Sequence, residues 1–137
     1  MSAAEQLNQR FASLRETYAD LDADSLATPN VVGVWSPKDV VAHTAYWSDL
    51  EAQGVEAKAA GTEFEDDGVD WEAVNEREYE RSKDWSAEQA VSALDAAHAR
   101  LIAAVESNSS VSEDDVKGTW EHYDEHAAEL GAWRAAR

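Results

Sequence analysis

All four histidines of the chain fall on or beside apolar stripes of helical spacing. Two of them, His122 and His126, stand one turn apart in Trp120-Glu121-His122-Tyr123-Asp124-Glu125-His126. On one helix, imidazoles at i and i+4 can converge on a single ion. A pair on one helix supplies two ligands, and a third must come from another helix. His43, inside the stripe of the second helix, is the candidate. Three protein ligands leave an open coordination position, as catalytic metal sites require. The plainer reading is that such histidines are satisfied core or surface residues. The segment is not the zinc-protease HExxH, because Tyr123 stands where that motif has its glutamate base.

His98 is the fourth. It could be a further ligand or a donor behind the ligands, and its plain reading is a core histidine bonded to a neighbour. Tyr46, Trp47, Trp120 and Tyr123 could line a pocket for an apolar or electrophilic substrate, or could be core. Glu121, Asp124 and Glu125 read as a solvated face or as partners to the ligands, so no carboxylate is assigned as base.

The elements that must position these residues are helices. Leu7, Phe11, Leu14, Tyr18 and Leu21 form one stripe, predicting a first helix over Ala3 to Leu21. Residues 22–34, with Pro29 and Gly33, read as a loop. In Trp35-Ser36-Pro37-Lys38-Asp39, Ser36 can cap, Pro37 suits the first helical position and Asp39 completes the box. The second helix then runs towards Ala60-Gly61, with Val40, His43, Trp47, Leu50 and Gly54 facing inward. Gly61 to Asp70 is an acidic loop. Glu63, Glu65, Asp67 and Gly68 mimic a calcium loop, but Val74 occupies the place of its closing glutamate, so calcium is set aside. A short extra helix follows over Trp71 to Lys83.

The third helix opens on the capping box Ser86-Ala87-Glu88-Gln89, with the stripe Val91, Leu94, His98, Leu101 and Val105. A fourth begins between Ser112 and Thr119, with Thr119, Tyr123, His126, Leu130 and Trp133 inward. There is no strand-like alternation, internal repeat or glycine-rich phosphate loop. The expected fold is all-α: a four-helix bundle in one domain over residues 1–137.

Composition narrows the chemistry. Hydrophobic residues make up 44% of 137, including six tryptophans, so a core can be buried. With no cysteine, thiolate metal sites, iron–sulfur clusters, disulfides and a cysteine nucleophile are excluded. The net charge of −18 predicts repulsion of nucleic acid and of anionic membranes, and attraction of cations. Few lysines and an Ala- and Val-rich core resemble proteins of salt-loving organisms. No apolar run approaches the ~20 residues that span a bilayer, and Met1 to Arg10 lacks a signal-peptide core, predicting a cytoplasmic protein.

Residues 35–47, Trp-Ser-Pro-Lys-Asp-Val-Val-Ala-His-Thr-Ala-Tyr-Trp, resemble the second-helix signature of the DinB-like superfamily, and Thr119 to His126 its fourth-helix signature. Within it, the chain is most similar to the ClbS/DfsB family. Asn75, Tyr79 and the Asp84-Trp85-Ser86 turn also suit that family. The resemblance implies a DinB-like bundle, often dimeric, with a divalent metal such as zinc or nickel on His43, His122 and His126. Relatives include thiol-dependent S-transferases, implying a low-molecular-weight thiol as co-substrate, and mycothiol-dependent maleylpyruvate isomerases. In those isomerases a glutamate takes the place of His122. The ClbS/DfsB family includes a protein that protects its producer by hydrolysing a reactive cyclopropane in a genotoxin.

Three readings follow. The first is a metal-dependent transferase or hydrolase acting on a small electrophile. The second is a metal-free protective hydrolase or binding protein of the ClbS/DfsB type. The third is a non-catalytic, stress-related dimer with structural histidines. Metal content separates the first from the other two.

Overall fold

Capping chemistry sets where the long helices begin. Ser2, Ser36, Ser86 and Ser112 each accept a hydrogen bond from the backbone N–H three residues on, and the side chains of Glu5, Asp39, Gln89 and Asp115 accept one from the backbone N–H of the cap residue. Each reciprocal pair satisfies two backbone donors that helix geometry otherwise leaves open. The computed structural model describes residues 1–64 and 70–137. Its helices are α1 (Ala3–Glu16), α2 (Ala23–Leu26), α3 (Pro37–Ala60), α4 (Trp71–Ser82), α5 (Ala87–Glu106) and α6 (Glu113–Ala135).

The chain is all-helical in the described residues, with one isolated bridge between Val32 and Trp35. Gly61 closes α3 at φ 70°, the left-handed position that a glycine takes without a Cβ clash. The extra helix expected after the acidic loop is α4. Of that loop, residues 65–69, and with them the calcium-like positions of Glu65, Asp67 and Gly68, lie outside the described residues.

Two expectations are corrected. The first helix stops at Glu16 rather than Leu21. There the Thr17 hydroxyl donates to the Leu14 carbonyl at 2.6 Å, and turn bonds from Tyr18 to Arg15 and from Leu21 to Tyr18 replace the helical pattern. Tyr18 is nonetheless fully buried. The loop after it contains α2, capped by Asp22, whose side chain accepts from the Ser25 N–H.

The second correction concerns the face of α3. Of its expected inward stripe only Val40 is buried; His43, Trp47, Leu50 and Gly54 are partly exposed. The buried face is Val41, Ala42, Thr44, Ala45, Ser48, Ala52 and Val55. Small residues let α5 approach α3 closely, and they weigh little in a stripe sought from large apolar side chains. The expected stripe flanks the core instead, where a side chain can meet both protein and solvent.

Helix α3 packs on α5 and α1 on α6, with cross-contacts from α3 to α6 and from α1 to α5; α4 lies against α3. Leu7, Leu14, Tyr18, Val40, Leu94, Leu101, Val116, Tyr123 and Leu130 are fully buried at the centre. Each such aliphatic side chain contributes about 1.5–3 kcal/mol. Among the described residues, no helix is long and apolar enough to cross a membrane.

Candidate metal centre

Position and spacing bring three imidazoles together. His122 and His126 are one turn apart on α6, and His43 faces them from the second turn of α3. His43 Nε2 lies 2.9 Å from His122 Nε2, and His126 Nε2 lies 2.7 Å from the same atom. All three nitrogens lie within 4.8 Å of one another. The His43 and His126 rings meet nearly edge to face, with centroids 5.1 Å apart.

Proton accounting shows what such a cluster lacks. A neutral imidazole carries one N–H. His126 Nδ1 lies 2.5 Å from Glu129 Oε1. A carboxylate only accepts, so Nδ1 holds the hydrogen and Nε2 presents a lone pair. His122 Nε2 then faces two other Nε2 atoms, and one hydrogen cannot serve both contacts with good geometry. At least one of the two close nitrogen contacts is left without a hydrogen bond unless a cation stands among them. The donor set fits a borderline divalent ion, for which three imidazole nitrogens are suitable ligands.

Burial adds to this. It pushes His43 down to about 3, helped by the neighbouring rings of His122 and His126, and His122 down to about 4. His126 is lowered for the same reason. Burial thus favours the neutral form of all three rings, the form in which they can ligate without first releasing a proton.

The side chains expected around this centre divide into separate groups. His98 and Tyr123 are buried and belong to a chain of hydrogen bonds through the core. Ser48 Oγ lies 3.1 Å from the Tyr123 hydroxyl, that hydroxyl 3.0 Å from His98 Nδ1, and His98 Nε2 2.8 Å from Asn8 Oδ1. His98 also stacks on Phe11, centroids 3.9 Å apart. Both of its nitrogens are therefore occupied away from the triad. Trp47 donates its indole N–H to Asn75 Oδ1 at 2.8 Å and meets Tyr46 edge-on. The Tyr46 hydroxyl accepts from Arg77 at 3.0 Å. Trp120 is buried in the core. Trp35, by contrast, stands beside the triad, its ring 4.8 Å from that of His43.

Sequence reasoning missed Glu129 as a partner of His126, Asn75 as the acceptor for the Trp47 indole, and Trp35 as a neighbour of the triad. Glu129 was findable, because it follows His126 by three on the same helix. The others sit across helix boundaries that no spacing rule connects.

Three imidazoles thus converge from two helices of an all-helical fold. The chain belongs to the DinB superfamily, which residues 6–136 match. A solved structure similar to it is that of the colibactin self-resistance protein ClbS in complex with a double-stranded DNA, at 15% identity and a TM-score of 0.80, covering 96% of this chain and 93% of that one. Among curated proteins, none matches.

The ClbS complex overturns the charge-based expectation that nucleic acid is excluded as a partner, since this fold is seen with duplex DNA. Net charge is a sum over the whole surface. Phosphate contacts are made by local groups, and salt screens distant charges beyond about 10 Å.

Proposed function

We propose that the chain is a metal-dependent DinB-type enzyme acting on a small electrophilic molecule, by thiol transfer or hydrolysis. The observation that carries this is the convergence of the Nε2 atoms of His43, His122 and His126 within 4.8 Å. In the same reading, the long helices α1, α3, α5 and α6 constitute a four-helix bundle, with the triad between α3 and α6.

A divalent ion bound there supplies Lewis acidity, which lowers the pKa of a water or small thiol at its open position. The chain's own residues do the rest. His43 and the α6 pair present lone pairs from two helices. Glu129 holds the His126 ring in the tautomer that keeps Nε2 free. Trp35 gives the His43 side of the centre an apolar wall, which favours an uncharged substrate and limits water there.

The test is metal analysis of protein purified without a nickel column, followed by titration of stripped protein with zinc and nickel. One ion per chain, lost in His126→Ala, supports the reading. No binding by the stripped native chain would sink it. The likeness to ClbS favours a second reading, a metal-free protective protein that neutralises a reactive small molecule and meets DNA. Unchanged protective activity after complete metal removal, with a mobility shift of duplex DNA, would select it.

A further inference from the structure

A strip of aromatic rings runs along the seam between α3 and α4 and takes in His43. Trp47 follows His43 by one turn of α3, so the two share a face about 6 Å apart along the axis. Trp71, the first residue of α4, meets Trp47 edge to face, with centroids 6.4 Å apart. Towards the start of α3, the Trp35 ring stands 4.8 Å from that of His43, and the Tyr79 ring lies parallel to Trp35 at 6.5 Å. All five residues are at least partly exposed, Trp71 to 67%.

The packing of α4 does not account for that exposed indole. Helix α4 rests on α3, and its buried side is Val74, Glu78 and Ser82, which Trp71 does not join. Taking an indole out of water is favourable, and a contiguous exposed apolar surface marks a place where something binds. The Trp47 N–H is already taken by Asn75 Oδ1 at 2.8 Å, so that indole offers a visitor its ring and no donor. Charge narrows the choice of visitor. Asp70 and Glu72, both exposed, flank Trp71 in a chain of net charge −18. They disfavour an anion, and two copies meeting through this strip about a two-fold axis would set the same carboxylates against each other. A divalent ion on the triad would in turn repel a cation at the His43 end.

The geometry points to this strip as the binding site of an uncharged aromatic or conjugated molecule, stacked on Trp47 and Trp71 and reaching His43. That names the class of electrophile for the proposed site: one whose flat π system lies on the strip while its reactive atom meets the triad. The inference rests on the metal reading only for the reaction. Binding to the strip is a property of the metal-free chain. Ring faces accept any ring, so the strip selects for a π system and leaves the choice of reacting group to the triad.

The experiment titrates metal-free protein with phenylnaphthylamine, an uncharged fluorescent probe, and with anilinonaphthalene sulfonate, a related ring system bearing an anionic group. Histidine ring signals are followed by NMR in parallel. A groove of about 590 Å³ beside Asn8, His98 and Ile102 is the competing place for an apolar probe, so His43 and His98 report where it sits. The uncharged probe should bind once per chain, shift the His43 signals and leave those of His98 in place. The sulfonate should bind about tenfold more weakly. Trp71→Ala should weaken the uncharged probe about tenfold without lowering the melting temperature, and Trp71→Phe, which keeps a ring, should restore most of the affinity.

Affinity left unchanged by Trp71→Ala, or a probe that shifts His98 rather than His43, overturns the inference. So does equal affinity for the sulfonate, or a dimer of the native chain that Trp71→Ala abolishes, which would give the strip to a second copy. If the native chain takes no zinc but binds the probe on the strip, the binding site stands and the metal reading falls. If it takes zinc but no uncharged probe, the metal reading stands and this inference falls. Should Trp71→Ala fail to fold, Trp71→Gln, which also lacks a ring, decides by the same readings.

Discussion

The Tyr123 hydroxyl lies 3.0 Å from Nδ1 of His98 and 3.1 Å from the hydroxyl of Ser48, so one phenol on α6 ties together α5 and α3 inside the core. His98 carries the chain on to Asn8 of α1 at 2.8 Å. Four long helices are thereby joined by three contacts among side chains that would each be costly to bury alone.

Tyr123→Phe keeps the ring in place but strips both neighbours of that partner. Leaving a buried polar atom unsatisfied costs roughly 1–3 kcal/mol. Urea unfolding should show a loss in that range with an unchanged m-value. A neutral substitution would mean that water replaces the phenol, and that the chain of contacts is incidental.

His98 also makes stability depend on pH. Burial holds it at about 4, below its ordinary 6.5. Between these values the unfolded chain binds a proton that the folded one refuses, so stability rises with pH across this window. The contribution is complete above 6.5 and falls away as pH drops towards 4. In metal-free protein, His98→Gln should flatten the slope of unfolding free energy against pH there. An equally steep slope in the variant would assign the acid lability elsewhere.

A divalent ion at the proposed site should separate the histidines by role. His126→Ala should abolish stoichiometric zinc binding, whereas His98→Ala should leave it largely intact because both His98 nitrogens are committed elsewhere. Glu129→Ala should retain binding but weaken it about 10–100-fold. Zinc at a hundred times its dissociation constant should stabilise the native protein by about 2.7 kcal/mol, removed by chelator. Isothermal titration and melting curves measure both.

A net charge of −18 predicts salt dependence as well. Like charges crowded on a folded surface repel, and counterions screen them over a length that shrinks to about 3 Å at 1 M. The melting temperature should climb as salt goes from near zero to molar. A flat response would remove the case for a salt-adapted surface.

Much of the site was legible because helices have a fixed period. The i, i+4 spacing of His122 and His126 guarantees that their rings share a face wherever α6 lies. The capping boxes at Ser36 and Ser86 marked helix starts to the residue, since their hydrogen bonds are local. The inward face of α3 was less legible. Its buried side is built from Ala42, Ala45, Ser48 and Ala52, whose small side chains carry little signal on their own.

Sequence by itself determined that the chain is helical, where its capped helices begin, and that two imidazoles on one helix would stand together. Those properties depend on residues within a turn of each other. Only the tertiary structure decided that His43 meets them, that His98 turns away to Tyr123 and Asn8, and that Trp35 flanks His43. These contacts join residues far apart in the chain, and the packing angle and rotation of one helix against another set them. Local spacing does not encode that rotation; the summed burial of the whole core does.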